Sequence, residues 1–401
     1  MLSLDGPSTS TFSLPPAVLQ HKTDVRNPPR TMGQFRNKSG RQCPFYKIMP
    51  STPFTVDAFN FGYVPNCTAY FLSHFHSDHY GGMTKEFAKP IYCSRITANL
   101  IREKIGVDSY WINEITMNQP TIIDGTELTL LDANHCPGSV LFLFRFKDGR
   151  AYLHTGDFRA DPSVLGNDPI LLGLREISKL YLDTTYLDPY YEFESQEATV
   201  DIAAEFAQQM VRKNPKTLIC CGTYSVGKEK IFMRIAKVLN SKVAITAYKA
   251  RLLKCFEWKE FDDLLTSDWN AAQVHVLPMQ ALNFPSLHEH LEKFKNFDSI
   301  LAVTPSGWQF DRKNLSLKNI KPKVQGAVTM IGIPYSEHSS FRELEWFVRF
   351  IRPKEVIPTV NVGNPKRRKE MEKIIKSWLD PNYKAPVVKK QNLITGFLNQ
   401  S

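Results

Sequence analysis

Three histidines and an aspartate stand close together in the string His74-Phe75-His76-Ser77-Asp78-His79. The string follows the β-rich run 68–73, and alternation along an extended segment places His74 and His76 on one side. A turn after them brings Asp78 and His79 toward the same cavity. Imidazole and carboxylate groups are the ligands that zinc and other borderline divalent ions prefer. The string therefore predicts a metal site at the end of a strand.

Three further polar residues, His135, Asp157 and His338, stand at the ends of predicted strands. They lie in the segments LDANHCPG, HTGDFR and YSEHSS. Taken singly, each histidine is more often a hydrogen-bonded structural residue, and an aspartate beside Gly156 is typical of a turn. A single loop does not complete two coordination shells, however. Beside the string at 74–79, these three residues are therefore expected to be metal ligands.

The composition excludes several classes of protein. The chain has 401 residues, of which 42% are hydrophobic, so it has material for two packed units. No run approaches the roughly 18 apolar residues of a membrane span, and the N-terminus lacks the apolar core of a secretory signal. The seven cysteines are odd in number and show no CxxC spacing. We therefore expect an intracellular, non-membrane protein with reduced thiols, and neither a disulfide scaffold nor a cysteine-based zinc site.

The basic residues are concentrated in three clusters within a chain whose formal net charge is +10. Stretches without any acidic residue carry six basic residues from Arg26 to Lys47 and five from Arg312 to Ser336, and Lys366–Lys369 is the third cluster. Any one cluster is typical of a solvated surface, whereas three favour a polyanionic partner. Charge alone does not separate nucleic acid from an anionic membrane surface.

The pattern of the chain changes twice along its length. Residues 1–42 are rich in Ser, Thr, Pro and Asn, and we predict a disordered basic segment there. β-rich runs begin near Cys43. From residue 195 helices and strands alternate, with a helix at 195–213, a buried strand at 217–221 and a helix at 227–239. This order indicates an α/β protein.

Seven strings are together similar to those of one family: HFHSDHYGG, LDANHCPGS, LHTGDFRADP, YLDTTY, CGTYSVGKEK, GIPYSEHSS and IPTVNVG. An early Asp, HxHxDH, a later His and then an Asp resemble the metallo-β-lactamase superfamily. The inserted region and His338 resemble the β-CASP nucleases, and within them the Pso2-like 5′-exonucleases of DNA interstrand cross-link repair. The resemblance covers roughly residues 43–380.

This resemblance implies the fold. We expect an α/β protein in which an αββα metallo-β-lactamase sandwich is interrupted by an inserted β-CASP α/β domain, with the site in the cleft between them. The expected borders are 43–190 for the first part of the sandwich, 191–325 for the β-CASP domain and 326–401 for the second part of the sandwich.

The resemblance also implies the metal ligands. A first ion would be held by His74, His76, His135 and Asp157, and a second by Asp78, His79 and His338, with Asp157 bridging both. Zn²⁺ is the expected cofactor, as one or two ions, and Mg²⁺ or Mn²⁺ stays open at the second position, where fewer ligands predict weaker binding.

The expected catalytic residues are Asp78, His338, Asp57 and Asp183. Asp57 would accept a hydrogen bond from a ligand histidine and so fix its tautomer. Asp183 would either do the same for His79 or transfer a proton to the leaving group, and the sequence leaves both roles open.

The segment Cys221–Lys228 predicts a strand, a glycine-bearing loop and the start of a helix. Helix N-termini offer free backbone N–H groups to an anion, and Lys228 adds positive charge. The segment is not a Walker A sequence, and by itself it is equally an ordinary helix entry. In the context of the resemblance we expect a pocket for a terminal 5′-phosphate, built from Tyr186, Ser225, Lys228 and Ser340.

The function that the resemblance implies is a nuclear, monomeric 5′-to-3′ DNA exonuclease of cross-link repair, acting on DNA with a free 5′-phosphate. A structure-selective DNA endonuclease is the near alternative. An RNA-processing β-CASP endonuclease is disfavoured, because Val360 or Val362 stands where such proteins carry a further histidine. A thioester or lactam hydrolase has no need for the inserted region or the basic clusters. A binding scaffold with a dead site would not keep a competent residue at every ligand position.

Overall fold

The computed structural model describes residues 16–19, 40, 42–307, 320–380 and 382. Its strands, in chain order, are β1 (Ala17–Leu19), β2 (Ile48–Met49), β3 (Phe54–Val56), β4 (Ala69–Phe71), β5 (Ile91–Cys93), β6 (Ile112–Glu114), β7 (Thr121–Ile123), β8 (Thr126–Asp132), β9 (Val140–Arg145), β10 (Ala151–His154), β11 (Lys179–Leu182), β12 (Thr217–Thr223), β13 (Val243–Ala244), β14 (Leu265–Thr266), β15 (Val274–Pro278), β16 (Ser299–Pro305), β17 (Lys323–Gln325), β18 (Val328–Ile333) and β19 (Glu355–Pro358).

The α-helices of the described residues are α1 (Ser77–Tyr80), α2 (Arg95–Leu100), α3 (Pro162–Leu165), α4 (Pro169–Leu172), α5 (Gln196–Lys213), α6 (Glu229–Leu239), α7 (Ala247–Lys254), α8 (Glu260–Leu264), α9 (Phe284–Glu292), α10 (Phe341–Ile351) and α11 (Pro365–Leu379). A π-helical turn, Ile101–Ile105, continues α2. Within the described ranges, no helix is both long enough and apolar enough to cross a membrane.

The described strands form three sheets. The first has the order β1-β7-β8-β9-β10-β11-β19, and the second has the order β2-β3-β4-β5-β6. The third has the order β14-β13-β15-β12-β16-β18-β17, and its strands are parallel except for β17.

The first and second sheets pack face to face. The ring centroid of Phe71 on β4 lies 5.6 Å from that of Phe142 on β9. Side chains alternate along a strand, so Leu141 and Leu143 point to the other face of the first sheet, where they cluster with Phe347 of α10. Residues of α2 pack on the outer face of the second sheet. Helices therefore cover both outer faces, and the predicted αββα sandwich is confirmed.

Helix α10 shows how the sequence produces one of these layers. Ser340 Oγ accepts the N–H of Glu343, and the Glu343 carboxylate accepts the N–H of Ser340, so the helix begins with a capping box. Its buried residues recur with helical spacing, which places them on one face toward the first sheet: Leu344, Phe347, Val348 and Ile351.

The third sheet forms the core of the inserted α/β unit. Helix α5 buries Ala203 and Ala207 on one face of this sheet, and α9 buries Leu287 on the other. Strand β18 pairs in parallel with β16 along its whole length, so the sheet continues through Ile333. The expected border at 325/326 divides this sheet. Because backbone hydrogen bonds join β18 to β16, we propose instead that the border follows Ile333.

Most of the segment 1–42, for which disorder was predicted, lies outside the described residues. Ala17–Leu19 is an exception, because it forms β1 and pairs in parallel with β7 at the edge of the first sheet. For these three residues the prediction of disorder is wrong. This short apolar run extends the first sheet at its edge strand β7. Composition does not reveal that such an edge is available for pairing.

All seven cysteines lie within the described ranges and are free thiols. Six of them are buried. Burial raises the pKa of the Cys43 thiol to about 11 and that of Cys221 to about 12. They are therefore protonated near neutral pH and act as small apolar side chains.

Candidate metal centre

The polar residues singled out in the sequence converge at one edge of the sandwich, because each follows the carboxyl end of a strand. His74 follows β4, His135 follows β8, Asp157 follows β10 and His338 follows β18. Strands β8 and β10 run in the same direction, since each is antiparallel to β9. Their carboxyl ends therefore meet at the same edge of the sheet. The short helix α1 carries the rest of the HxHxDH string.

Asp157 lies at the centre of the cluster. Its Oδ2 is 3.2 Å from His79 Nε2 and 3.6 Å from His74 Nε2. The same oxygen is 3.9 Å from His135 Nε2 and 4.0 Å from His338 Nε2. One carboxylate oxygen thus faces imidazole nitrogens from three separate segments, as a bridging ligand would.

Gly156 permits this close approach. Its φ is +55°, and a Cβ atom at this position would lie 2.7 Å from Cβ of Ser73. A residue with a side chain would push the two segments apart. Because Ser73 and Gly156 touch, the residues that follow them, His74 and Asp157, come to lie side by side.

Three sets of ligand atoms lie close enough together to share an ion, each set within 4.8 Å. The sets are His74, His76, His135 and Asp157; Asp78, His79 and Asp157; and Asp157, Asp183 and His338. All seven predicted ligands therefore belong to one cluster. Within 4.8 Å, His338 shares a set with Asp183 and Asp157. Asp78 and His79 belong to a different set, and Asp157 is the residue common to both.

The outer nitrogens of His76 and His135 face backbone carbonyls. His76 Nε2 lies 3.2 Å from the oxygen of Val226, and His135 Nδ1 lies 2.7 Å from that of Glu337. A carbonyl only accepts, so these nitrogens carry the protons of the neutral rings. The remaining nitrogens, His76 Nδ1 and His135 Nε2, are then both acceptors and face each other at 3.1 Å. Two facing acceptors fit a shared cation.

His74 completes this fit. Its Nε2 is buried and has no hydrogen-bond partner within the described part of the chain. Leaving such a group unpaired costs on the order of 1–3 kcal/mol. A cation contacted by His74, His76, His135 and Asp157 removes that cost. Three imidazole nitrogens and one carboxylate are a donor set that suits zinc or another borderline divalent ion.

The other two histidines donate to buried carboxylates. His79 Nδ1 lies 2.8 Å from Asp57 Oδ2, and His338 Nδ1 lies 2.8 Å from Asp183 Oδ2. Asp57 thus makes the kind of contact expected of it. The expected contact between Asp183 and His79 is wrong, because the outer nitrogen of His79 is already bonded to Asp57. Asp183 instead fixes the ring of His338.

Burial and the nearby carboxylates divide the histidines into two groups with different pKa values. Burial lowers the pKa of His74 well below its usual range and that of His135 to about 3. Burial opposes the protonation of His338 as well, but Asp183 and Asp157 outweigh it and raise the pKa to about 9. Against the same effect of burial, Asp157 and Asp57 raise the pKa of His79 well above its usual range.

The cluster opens into a cavity of about 610 Å³ between the sandwich and the inserted unit. Asp78, whose side chain is 76% exposed, lies on its wall. Three of the predicted phosphate-binding residues line the same cavity, namely Tyr186, Ser225 and Lys228. Ser340 is not among the residues that line it, and the Ser340 hydroxyl caps helix α10.

Lys228 reaches the cavity with its charge already paired. Its Nζ lies 3.2 Å from Glu337 Oε2, and its backbone N–H donates to Glu337 Oε1 at 2.8 Å. A Cβ atom on Gly227 would lie 3.0 Å from both carboxylate oxygens. Although burial opposes ionisation, Lys228 lowers the pKa of Glu337 to about 2. The loop expected to bind a substrate phosphate at its N–H groups therefore holds a carboxylate of the chain itself.

Three residues that the sequence analysis did not single out contribute to the site. Arg159 is almost fully buried and donates to the backbone carbonyls of residues 336 and 194. Glu337 binds Lys228. Lys104 lines the cavity, and its Nζ lies 3.0 Å from Ser225 Oγ. Arg159 and Glu337 stand within two residues of predicted ligands, which is a usable signal. Lys104 is remote in sequence from every motif of the sequence analysis, so the sequence gives no signal for it.

The two valines at the end of β19 differ in their surroundings. Val360 lines the main cavity, whereas Val362 packs against the apolar cluster beneath the first sheet. Both valines also line a second cavity of about 310 Å³ that includes Asp78, His79 and Asp157. Of the two candidate positions for a further histidine, only that of Val360 lies on the wall of the main cavity as well.

Parts of two basic clusters adjoin the site. Lys47 donates to the backbone oxygen of Asp57 at 2.6 Å. Arg367 donates to the oxygen of Leu187, next to Tyr186, at 2.7 Å. The basic residues of 26–41 and of 312–318 lie outside the described residues.

Known proteins that are similar to this chain carry names from DNA repair. Residues 259–364 match the family described as DNA repair metallo-beta-lactamase. The chain is 49% identical to the DNA cross-link repair 1A protein of Gallus gallus, over 84% of this chain and 35% of that protein. It is 45% identical to the DNA cross-link repair protein SNM1 of Arabidopsis thaliana, over 87% of this chain and 72% of that protein.

A third relative is named for an activity. The chain is 32% identical to the 5′ exonuclease Apollo of Gallus gallus, over 78% of this chain and 63% of that protein. The chain spans about a third of the length of the vertebrate cross-link repair 1A proteins that it matches.

Proposed function

Because the chain belongs to the Pso2-like DNA cross-link repair branch of the metallo-β-lactamase/β-CASP family, we propose that it is a metal-dependent nuclease that hydrolyses phosphodiester bonds in DNA. The observation that carries this proposal is the convergence of the histidines on Asp157 at the wall of an open cavity. A cluster able to hold two divalent ions suits an in-line displacement at phosphorus.

The finer activity that we propose is 5′-to-3′ exonuclease action in interstrand cross-link repair, by a monomer in the nucleus. Its support is the name of one relative as a 5′ exonuclease and of others as DNA cross-link repair proteins. The basic cluster at 366–369, beside the Tyr186 side of the cavity, favours a polyanionic substrate.

We propose Zn²⁺ at the set His74, His76, His135 and Asp157. For the second ion, which can be Zn²⁺, Mg²⁺ or Mn²⁺, we propose Asp78, His79 and His338, which are joined through Asp157. When bound, such ions supply an activated water at neutral pH and compensate the charge that develops on the phosphate.

The proposed roles of the chain's own residues follow from their contacts. Asp57 and Asp183 hold the rings of His79 and His338 so that Nε2 of each faces Asp157. Asp78 is exposed on the cavity wall, where a substrate in the cavity would lie beside it and the cluster. We assign Asp183 to the positioning of His338, which makes its direct transfer of a proton to the leaving group the less favoured role.

We propose that the terminal 5′-phosphate binds on the cavity wall that carries Tyr186 and Ser225. The charge of Lys228 is shared with Glu337, so Lys104 beside Ser225 is the cation better placed to attract this phosphate. A phosphate held there would present the first phosphodiester bond to the cluster and favour cutting from that end.

The proposed function is tested by cleavage of single-stranded DNA that carries either a 5′-phosphate or a 5′-hydroxyl, with zinc and with magnesium. We expect cleavage of the phosphorylated strand from its 5′ end, and loss of cleavage in Asp78→Ala. The matched control is Asp262→Ala, which removes an exposed carboxylate of α8. Absence of metal-dependent cleavage of both strands would refute the nuclease, and equal rates on both ends would refute only the phosphate pocket.

Hairpin and flap substrates separate the alternative activity, a structure-selective DNA endonuclease. Incision at the junction before any product from the 5′ end would favour the endonuclease. A matched RNA strand tests the third possibility, which the presence of Val360 in the cavity wall disfavours.

A further inference from the structure

Two exposed aromatic rings lie beside cations, one on the cavity wall and one on helix α7, which is bonded to that wall. Tyr224 lines the cavity and is 50% exposed, and Tyr248 on α7 is 46% exposed. The guanidinium carbon of Arg251 lies 5.8 Å from the ring centroid of Tyr248, and Lys228 Nζ lies 5.3 Å from that of Tyr224. We call Tyr224, Tyr248, Arg251 and Lys104 the aromatic rim.

A buried ammonium group holds the aromatic rim together. Lys249 follows Tyr248 and is 7% exposed. Its Nζ donates to the backbone oxygens of Tyr224 at 3.0 Å and Ser225 at 3.1 Å, and it pairs with Glu229 Oε1 at 3.0 Å. One buried group therefore ties the loop at 224–225 to helix α7. A tyrosine on such a fixed backbone loses little conformational freedom when a planar ring binds to it.

Lys104 supplies charge at the inner end of the rim. Its Nζ bonds Ser225 Oγ and lies 5.5 Å from the ring centroid of Tyr80. Arg251 is paired with Glu103 at 2.8 Å, whereas no carboxylate in the described ranges forms an ion pair with Lys104. The positive charge of Lys104 is therefore available to a phosphate group at the cavity wall.

We propose that the aromatic rim binds a single-stranded segment of the substrate, with one base stacked on Tyr224 and a phosphate on Lys104 and Ser225. This inference rests on the proposed nuclease function, because the rim and the metal cluster share one cavity. Exposed aromatic rings beside cations are the combination by which proteins bind single strands without reading their sequence. In a duplex the base faces are already stacked, so the rim selects a frayed or single-stranded end.

The test measures binding separately from cleavage. The Asp78→Ala chain, in zinc buffer, is titrated against a short oligodeoxythymidylate labelled at its 3′ end, and the anisotropy of the label is followed. Addition of Tyr224→Ala is expected to weaken binding roughly tenfold, and Tyr224→Phe, which keeps the ring, to leave it within about twofold. Phe45→Ala removes a ring that is 65% exposed and that does not line this cavity, and it serves as the control.

Abasic nucleotides identify the stacked base. When each of the first nucleotides is made abasic in turn, the penalty of Tyr224→Ala should vanish at the one position whose base contacts the ring. Lys104→Gln should lower the slope of log affinity against log salt concentration by about 0.7, as expected for one lost phosphate contact on a single strand. Lys85→Gln, at an exposed lysine, is the matched control.

Unchanged affinity in Tyr224→Ala, or a penalty that is the same on every abasic strand, would overturn the inference. The two proposals fail separately. If the unmodified chain binds with this dependence on Tyr224 but cuts no strand, the nuclease proposal is wrong and the binding rim stands. If it cuts normally but Tyr224→Ala changes neither affinity nor KM, the rim is wrong and the nuclease stands.

Discussion

We call His74, His76 and His135 the first half of the metal cluster, and Asp78, His79 and His338 the second half; Asp157 belongs to both. The histidines of the two halves bond to different kinds of hydrogen-bond acceptor. His76 and His135 donate to neutral backbone carbonyls. His79 and His338 donate instead to buried carboxylates, each at 2.8 Å. The ligand types are the same in both halves, and the groups behind the ligands differ.

This difference sets how readily each half accepts an ion. A carbonyl leaves the buried imidazole neutral, and the pKa of His135 falls through burial to about 3. A carboxylate stabilises the imidazolium, and Asp183 holds the pKa of His338 at about 9 against the effect of burial. Metal ions bind the unprotonated ring, so an ion in the second half must displace protons near neutral pH. We therefore expect the first half to bind its ion more tightly.

Asp157→Asn should have the largest effect, because its carboxylate is common to both halves. We expect a cleavage rate lower by roughly a thousandfold or more, since several kcal/mol of charge stabilisation depend on the bound ions. Bound metal, measured by elemental analysis after gel filtration, should fall in both halves. Asp262→Asn is the control, and a variant that keeps both ions would contradict the central position of Asp157.

The affinity for the second ion should depend on pH and that for the first should not. The ring of His338 is protonated below about pH 9, so lowering the pH from 9 to 7 should weaken binding by up to about tenfold per unit for each proton displaced. The pKa of His135, about 3, leaves the first half unprotonated over this range. Competition with a chelator at several pH values measures both affinities, and equal slopes would refute the distinction.

Asp183→Asn should make the binding of the second ion less dependent on pH, and in this respect more like the binding of the first. The amide oxygen can still accept from His338 but no longer stabilises a positive ring. Because Asp157 still raises the pKa of His338, we expect the contribution of His338 to the pH dependence to become smaller and to move to lower pH. We also expect roughly 10–100-fold weaker binding of the second ion. Asp168→Asn, which replaces a helix-capping aspartate, is the matched control. Weakening of the first ion by the same factor would contradict separate roles for the halves.

Glu337→Gln should have the smallest effect and act on the first half. The Glu337 carboxylate binds both nitrogens of Lys228, and its backbone oxygen accepts from His135. We expect about tenfold weaker binding of the first ion and an unchanged second ion. In Glu337→Gln the buried ammonium group of Lys228 loses its carboxylate partner. The double variant Lys228→Met/Glu337→Gln removes that unpaired charge as well. If the double variant recovers stability but not metal affinity, positioning explains the loss; if both recover, the effect was only structural.

Much of the fold was accessible from the sequence, because its signals are local. The patterns at 195–213, 217–221 and 227–239 located α5, β12 and α6. The predicted border near 325 differs from the one that we propose after Ile333, because the neighbours of a strand are chosen by pairing between distant residues. Nothing within 328–333 tells whether this strand joins the sandwich or the inserted sheet.

The site divides in the same way. The convergence of the candidate ligands was predictable because the HxHxDH string is dense and the other candidates follow predicted strands. The partner of Asp183 was not, since only the folded chain decides that His79 already bonds Asp57. The cap formed by Ser340 was not predictable for a related reason, because the same hydroxyl suits a phosphate pocket and a helix cap.

By itself, then, the sequence determined which side chains can bind a metal ion and which strands end in them. Residue type and spacing along one chain are sufficient for that. Only the tertiary structure decided which hydrogen-bond acceptor each histidine contacts. It also decided that Lys228 forms an ion pair with Glu337 and that Lys104 donates to Ser225. Those contacts join residues far apart in the chain, and their distances depend on how the sheets and the inserted unit pack.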